Sequence, residues 1–154
     1  MTNKVLVAID KTGLSELVPE SLSAQMRPEE TEILVVQVVE PLMYSTPPEM
    51  SPGWQPENAA RRKELQERAK ESLGFAVEAL RKAGFKVNSR VVEGEIKEGI
   101  AETASEWKAD LIVVASHART GIAKFFHRSV AEGILHQAPC SVLVLKEAAQ
   151  KAAA

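Results

Sequence analysis

The stretch LIVVASHARTGIAKFFHRS, Leu111 to Ser129, decides the fold. Leu111-Ile112-Val113-Val114 is continuously apolar and β-branched from Ile112 on, the pattern of a strand covered on both faces, as in a parallel sheet. Ala115 to Ser129 then carries Arg119, Lys124, His127 and Arg128 and not one acidic residue. Ser129-Val130-Ala131-Glu132 has the S-x-x-E form of a capping box, so Ser129 is expected to open a helix that ends near Gln137. A buried strand, a basic loop and a helix start form the usual anion-holding unit of an α/β protein. Yet Gly121 is the loop's single glycine, where phosphate-cradling loops use several.

Working outward, Pro139 stops the helix and Val142 to Leu145 forms the last strand. Lys146 to Ala154 is an Ala-rich tail, expected to fray. Upstream, Gly94 precedes a helix with Ile96, Ile100, Ala104 and Trp107 on one face, Trp107 reading as core. Val87 to Val92 alternates only in part, as expected of an edge strand. Ala59 to Ala83 is the strongest helix: Leu65, Ala69, Leu73, Ala76, Val77 and Leu80 recur at spacings of three and four, and Gly84 sits where a C′ glycine belongs. Pro41 to Asn58 holds five of the eight prolines and reads as irregular. Its Met43, Tyr44, Met50 and Trp54 suit either a loop packed on the body or a lid or partner surface. Ile33 to Val39 and Val5 to Ile9 are two further buried strands. Between them Ser15 is expected to cap a helix reaching about Met26, with Pro19 tolerated in the first turn. Asp10 closes the first strand, where it either caps the following turn or faces a ligand.

Strict β-α alternation yields an α/β class: a doubly wound, five-stranded parallel sheet with right-handed crossovers and helices on both faces. Alternation does not fix the strand order. Ligands in such sheets sit at the C-terminal strand ends, which singles out the loops after Ile9 and after Ala115. Residues 1–146 read as one domain and 147–154 as a flexible tail.

Composition narrows the function. Apolar residues make up 45% of the 154 and charged residues 26%, as expected of a globular domain. A net charge of −2 argues against non-specific nucleic-acid binding, which needs a basic face. No apolar run approaches the ~20 residues that span a bilayer. A single cysteine, Cys140, excludes an internal disulfide and reads as a small core residue. With no secretory leader pattern, a cytoplasmic location is expected. No dinucleotide fingerprint, P-loop or nucleophile elbow is present, and His117, His127 and His136 lack metal-ligand spacing. The residues read as a binding protein rather than an enzyme.

Several blocks resemble the universal stress protein family: Val7-Ala8-Ile9-Asp10, Val38-Val39-Glu40-Pro41, Asp110-Leu111-Ile112-Val113, Ser116-His117-x-Arg119-Thr120-Gly121, Ser129 to Glu132, and Ala138-Pro139-Cys140-x-Val142-Leu143-Val144. They cover nearly the whole chain in order. The resemblance implies the strand order 3-2-1-4-5, a homodimer paired through the last strand, and a cytoplasmic stress-response role. It also implies a site. ATP-binding members of the family use Gly-x2-Gly-x9-Gly-[Ser/Thr], which falls here on Ala115, Ala118, Arg128 and Ser129. All three glycines are replaced. The residues that contact the adenosine end in such members fall on Asp10 and Val38, and both are present.

Glycine serves such a loop by adopting positive φ and by letting backbone N–H groups reach the phosphates. An alanine forced into the left-handed region costs roughly 1–2 kcal/mol. Arg128 is the graver change, because it sets a long side chain where phosphate would meet bare backbone; its guanidinium could pair with a phosphate instead. Two readings follow. One is a dimeric regulatory protein without the usual ATP site and without a cofactor. The other binds ATP or AMP, or another small anionic ligand, through Asp10, Val38 and the altered loop. A slow nucleotide hydrolase or phosphotransferase is a minor third.

Overall fold

The structure, a computed structural model, describes residues 2–40, 56–116 and 130–146. Its elements in order are β1 (Asn3–Ile9), α1 (Leu17–Gln25), a 3-10 turn (Pro28–Glu30), β2 (Thr31–Val39), α2 (Pro56–Lys82), β3 (Lys86–Glu93), α3 (Ile96–Trp107), β4 (Leu111–Ser116), helical residues 130–137 (α4) and β5 (Ser141–Lys146). All five strands are parallel, in the order β3-β2-β1-β4-β5. β3 is an edge strand, as its mixed pattern suggested, and β5 is the other edge.

The order dictates where the helices go. Steps from β1 to β2 to β3 run one way along the sheet, so right-handed crossovers put α1 and α2 on one face. The return to β4 and then β5 puts α3 and α4 on the other. Strand alternation divides the core accordingly. Val5, Val7, Ile33, Val35, Val87 and Val113 pack with Val18, Leu22, Leu73, Leu80 and Phe85 on the α1/α2 face. Leu6, Leu34, Val36, Ile112 and Val114 pack with Ile100, Ala104 and Ile134 on the α3/α4 face.

Local chemistry sets the element ends. α1 begins two residues after Ser15, whose Oγ accepts from the Leu17 N–H at 3.3 Å, while the cap position itself falls on Glu16. α2 starts at Pro56, three residues earlier than the apolar stripe indicated, because proline at a first helical position loses no hydrogen bond. It ends in a Schellman arrangement. Phe85 N–H reaches Leu80 O at 3.2 Å and Gly84 N–H reaches Arg81 O at 2.9 Å, with Gly84 at φ +96°. Buried Phe85 then locks α2 to the core.

Trp107 is half-buried on the α3/α4 face, with the Lys4 ammonium 5.2 Å from its ring centroid. Cys140 is half-buried rather than fully enclosed, just before the edge strand β5. The proline-rich run up to residue 55, the basic loop from His117 to Ser129 and the tail lie outside the described residues.

Candidate functional site

In this strand order the connections diverge between β1 and β4, and a crevice there is where an open α/β sheet receives a ligand. Register places the residues. Ile9 pairs with Gln37, so Asp10 and Val38 follow at the same level on neighbouring strands. Ala8 pairs with Val114, and Ala115 is one residue further along β4. Asp10, Val38 and Ala115 therefore share one rim. Of the other proposed ligand positions, Ala118, Arg128 and Ser129 lie outside the described residues, as do His117, Arg119 and Lys124.

Asp10 is held in a turn. Its Oδ1 accepts from the Thr12 N–H at 2.8 Å and from the Thr12 hydroxyl, and Gly13 N–H donates to Asp10 O at 3.0 Å. Gly13 at φ +89° completes the reversal, a conformation that favours glycine. The Asp-x-Thr-Gly spacing is thus a self-bonded turn that fixes the carboxylate at the rim.

Val38 points to the α3/α4 face and packs against Gly99 of α3. The chain bends from β3 into α3 beside it: Gly94 N–H donates to Val39 O at 3.1 Å, and Glu95 caps α3 by accepting from Glu98 N–H at 2.8 Å. Arg62 of α2 pairs with Glu93 at 2.5 Å on the far side of β3. Just before β4, at the opposite end from the rim, Asp110 is tied to β1, accepting from Lys4 N–H at 2.8 Å and donating its own N–H to Lys4 O at 2.7 Å.

Two features went unread in the sequence. Lys97, half-buried in the first turn of α3, lays its stem across Gly133 of α4, where a Cβ would stand 2.2 Å from Lys97 Cδ. Gly99 approaches β2 less tightly, a Cβ there standing 3.2 Å from the Val38 methyls. Neither glycine belongs to a turn or a phosphate motif, so nothing short of the packed helices marks them.

A cavity of about 380 Å³ lies between the β1–α1 connection and α2, lined by Thr12, Leu14, Pro19, Phe75 and Ala79 among others. It contains none of the rim residues and opens on the α1/α2 face. The candidate site is therefore placed at the rim, by topology. Among the described residues no group of His, Cys, Asp and Glu could hold a metal, and no helix is long and apolar enough to cross a membrane. Away from the rim, burial, and then the Asp110 carboxylate, push the Cys140 thiol up.

Comparison with known proteins bears on the family and the fold. The model of the universal stress protein family matches residues 1–146. Universal stress protein Sll1388 of Synechocystis is 27% identical over 152 residues, covering 93% of this chain and 97% of that protein. Universal stress protein MJ0531 of Methanocaldococcus jannaschii is 35% identical over a shorter segment, 54% of this chain and 49% of its own length. Among solved structures, MJ0577 superposes with a TM-score of 0.76 at 23% identity, covering 97% and 99% of the two chains. The Archaeoglobus fulgidus universal stress protein in complex with dAMP gives 0.60 at 24% identity, covering 94% and 98%. An Arabidopsis thaliana family protein with AMP bound gives 0.62 at 18%, covering 97% and 94%. By its family match, its strand order and its relatives, the chain belongs to the universal stress protein family.

Proposed function

We propose that this universal stress protein binds an adenine mononucleotide through the adenosine end of the family's site and does not cradle a triphosphate. One observation carries the reading: register sets Asp10 and Val38 at one level on the C-terminal rim, with Asp10 at the end of β1, which borders the divergence of the connections. Solved relatives supply the ligand class, since structures of family members are described in complex with dAMP, cAMP and AMP. In this reading Asp10 accepts from the adenosine moiety and Val38 packs against the base. Ala115, Ala118 and Arg128 replace the glycines that bare a phosphate loop, and Arg128 and Ser129 together receive a single phosphate. Turnover is no part of the reading; steady ADP release from ATP would bring the hydrolase alternative forward.

Calorimetry with AMP and ATP tests it directly. AMP binding at least as tight as ATP is expected; ATP binding a hundredfold tighter would overturn the missing cradle. Asp10→Ala should weaken AMP binding, and an unchanged dissociation constant would remove Asp10 from the site.

A second reading is a nucleotide-independent, dimeric regulatory protein of the cytoplasm. The observation favouring it is that Asp10 Oδ1 already accepts two hydrogen bonds from Thr12. The dimer would form along β5, whose apolar Val142–Leu145 is half-buried at an open sheet edge. Denatured protein that releases no adenine nucleotide would favour this reading. A monomer in sedimentation at micromolar concentration would remove the dimer.

A further inference from the structure

Gly99 is an unfavourable residue in a favourable place. It lies inside α3, where glycine is disfavoured relative to alanine. Its surroundings are otherwise those of a well-made helix: Glu95 caps the first turn, Gly99 N–H donates to Glu95 O at 2.8 Å, and the Thr103 hydroxyl returns to Gly99 O at 2.7 Å. The local preference for alanine is set aside for a tertiary reason. A Cβ at position 99 would stand 3.2 Å from both Cγ1 and Cγ2 of Val38, and 3.4 Å from Cγ1 of Val92.

Both Val38 methyls flank the missing Cβ, so no staggered turn of χ1 clears it. Two of the three positions on Val38 Cβ are methyls, and at least one faces Gly99 in every rotamer. A β-branched side chain on a hydrogen-bonded strand is also stiff. Either α3 lifts or Val38 moves.

We infer that Gly99 is a positioning residue for the base-contacting end of the site: by baring the α3 backbone it seats Val38 at the depth the adenine ring meets. The inference rests on the adenine-nucleotide reading and deepens it. Gly99 touches no ligand. It acts through Val38, and in this sequence the pair sets how much room remains at the rim beside Asp10.

The test is AMP and ribose 5-phosphate titration of the wild-type protein, Gly99→Ala, Val38→Ala and the double variant, with thermal unfolding of each. Wild-type protein that binds neither AMP nor ATP overturns the nucleotide reading and the inference with it. Where wild-type protein binds AMP, Gly99→Ala is expected to weaken it about fivefold, equivalent to about 1 kcal/mol, and to leave ribose 5-phosphate unchanged. Added to Val38→Ala, the same substitution is expected to cause no further loss and to raise the melting temperature. AMP binding by Gly99→Ala equal to wild type, or a parallel loss of AMP and ribose 5-phosphate, overturns the positioning role. If Gly99→Ala alone does not fold, folding of the double variant supports the contact and its failure to fold overturns it.

Discussion

The two faces of the sheet are packed by different means. On the α1/α2 face, large side chains fill the space: among the described residues thirteen form the buried set, including Leu22, Leu73, Leu80 and Phe85. On the α3/α4 face eight do so, and two glycines, Gly99 and Gly133, let backbone and lysine stem close the distance instead. Neighbouring residues of β2 show the contrast within one strand. Val38 meets the bare backbone of Gly99, while Gln37 turns to the opposite face, only 7% exposed, its Oε1 without a hydrogen-bond partner among the described residues. A face filled by interdigitated side chains gains stability from volume. A face closed by glycine gains proximity, and its exactness of fit is what a ligand-contacting rim requires.

The sharpest way to break the comparison is to hollow each face in turn. Leu80→Ala, on the side-chain-filled face, should cost about 4 kcal/mol, and Ile134→Ala on the other about 3 kcal/mol, both read by denaturant unfolding. A larger loss at Ile134 would reverse the ranking. Gln37→Met should gain about 1 kcal/mol, because a near-isosteric apolar side chain removes a buried acceptor that has no hydrogen-bond partner among the described residues. Loss of stability there would mean that the Gln37 amide bonds within the folded protein.

The two glycines should part company. Gly133→Ala meets the mid-stem of Lys97, a flexible chain able to swing into solvent, so helix propensity should win by about 0.5 kcal/mol. Destabilisation by Gly133→Ala as large as that of Gly99→Ala would show that Lys97 is as fixed as Val38. The smallest effect concerns the thiol beside β5. Its ionisation is displaced upward by burial and by Asp110, so unfolded protein loses that proton first as pH rises. Stability from Cys140 is therefore complete below the ordinary thiol range and declines above it. Removing the thiol with Cys140→Ser should flatten that decline in unfolding measured from neutral to alkaline pH; an identical slope would contradict the shift.

Much of the fold was legible because its signals are local. The runs Val5–Ile9, Ile33–Val39 and Leu111–Val114 suit strands covered on both faces, and the α2 stripe with Gly84 behind it reads as a helix with a C′ glycine stop. The partial alternation of Val87–Val92 marked an edge. Boundaries were less visible. Proline at 56 reads as a breaker until its place in the first turn removes the cost, and Ser15 bonds one residue ahead of the cap position.

The site was legible only in its parts. The sequence by itself determined which residues end the strands, Asp10, Val38 and Ala115, and that the loop after Ala115 lacks the glycines of a phosphate cradle. Their meeting at one rim depends on strand order, which alternation leaves open and which packing of the two faces settles. Gly99 and Val38 lie far apart in the chain, and Gly99 belongs to no motif that would link it to Val38. Their contact arises only when α3 docks on β2, because the energy of close packing belongs to the pair and not to either residue.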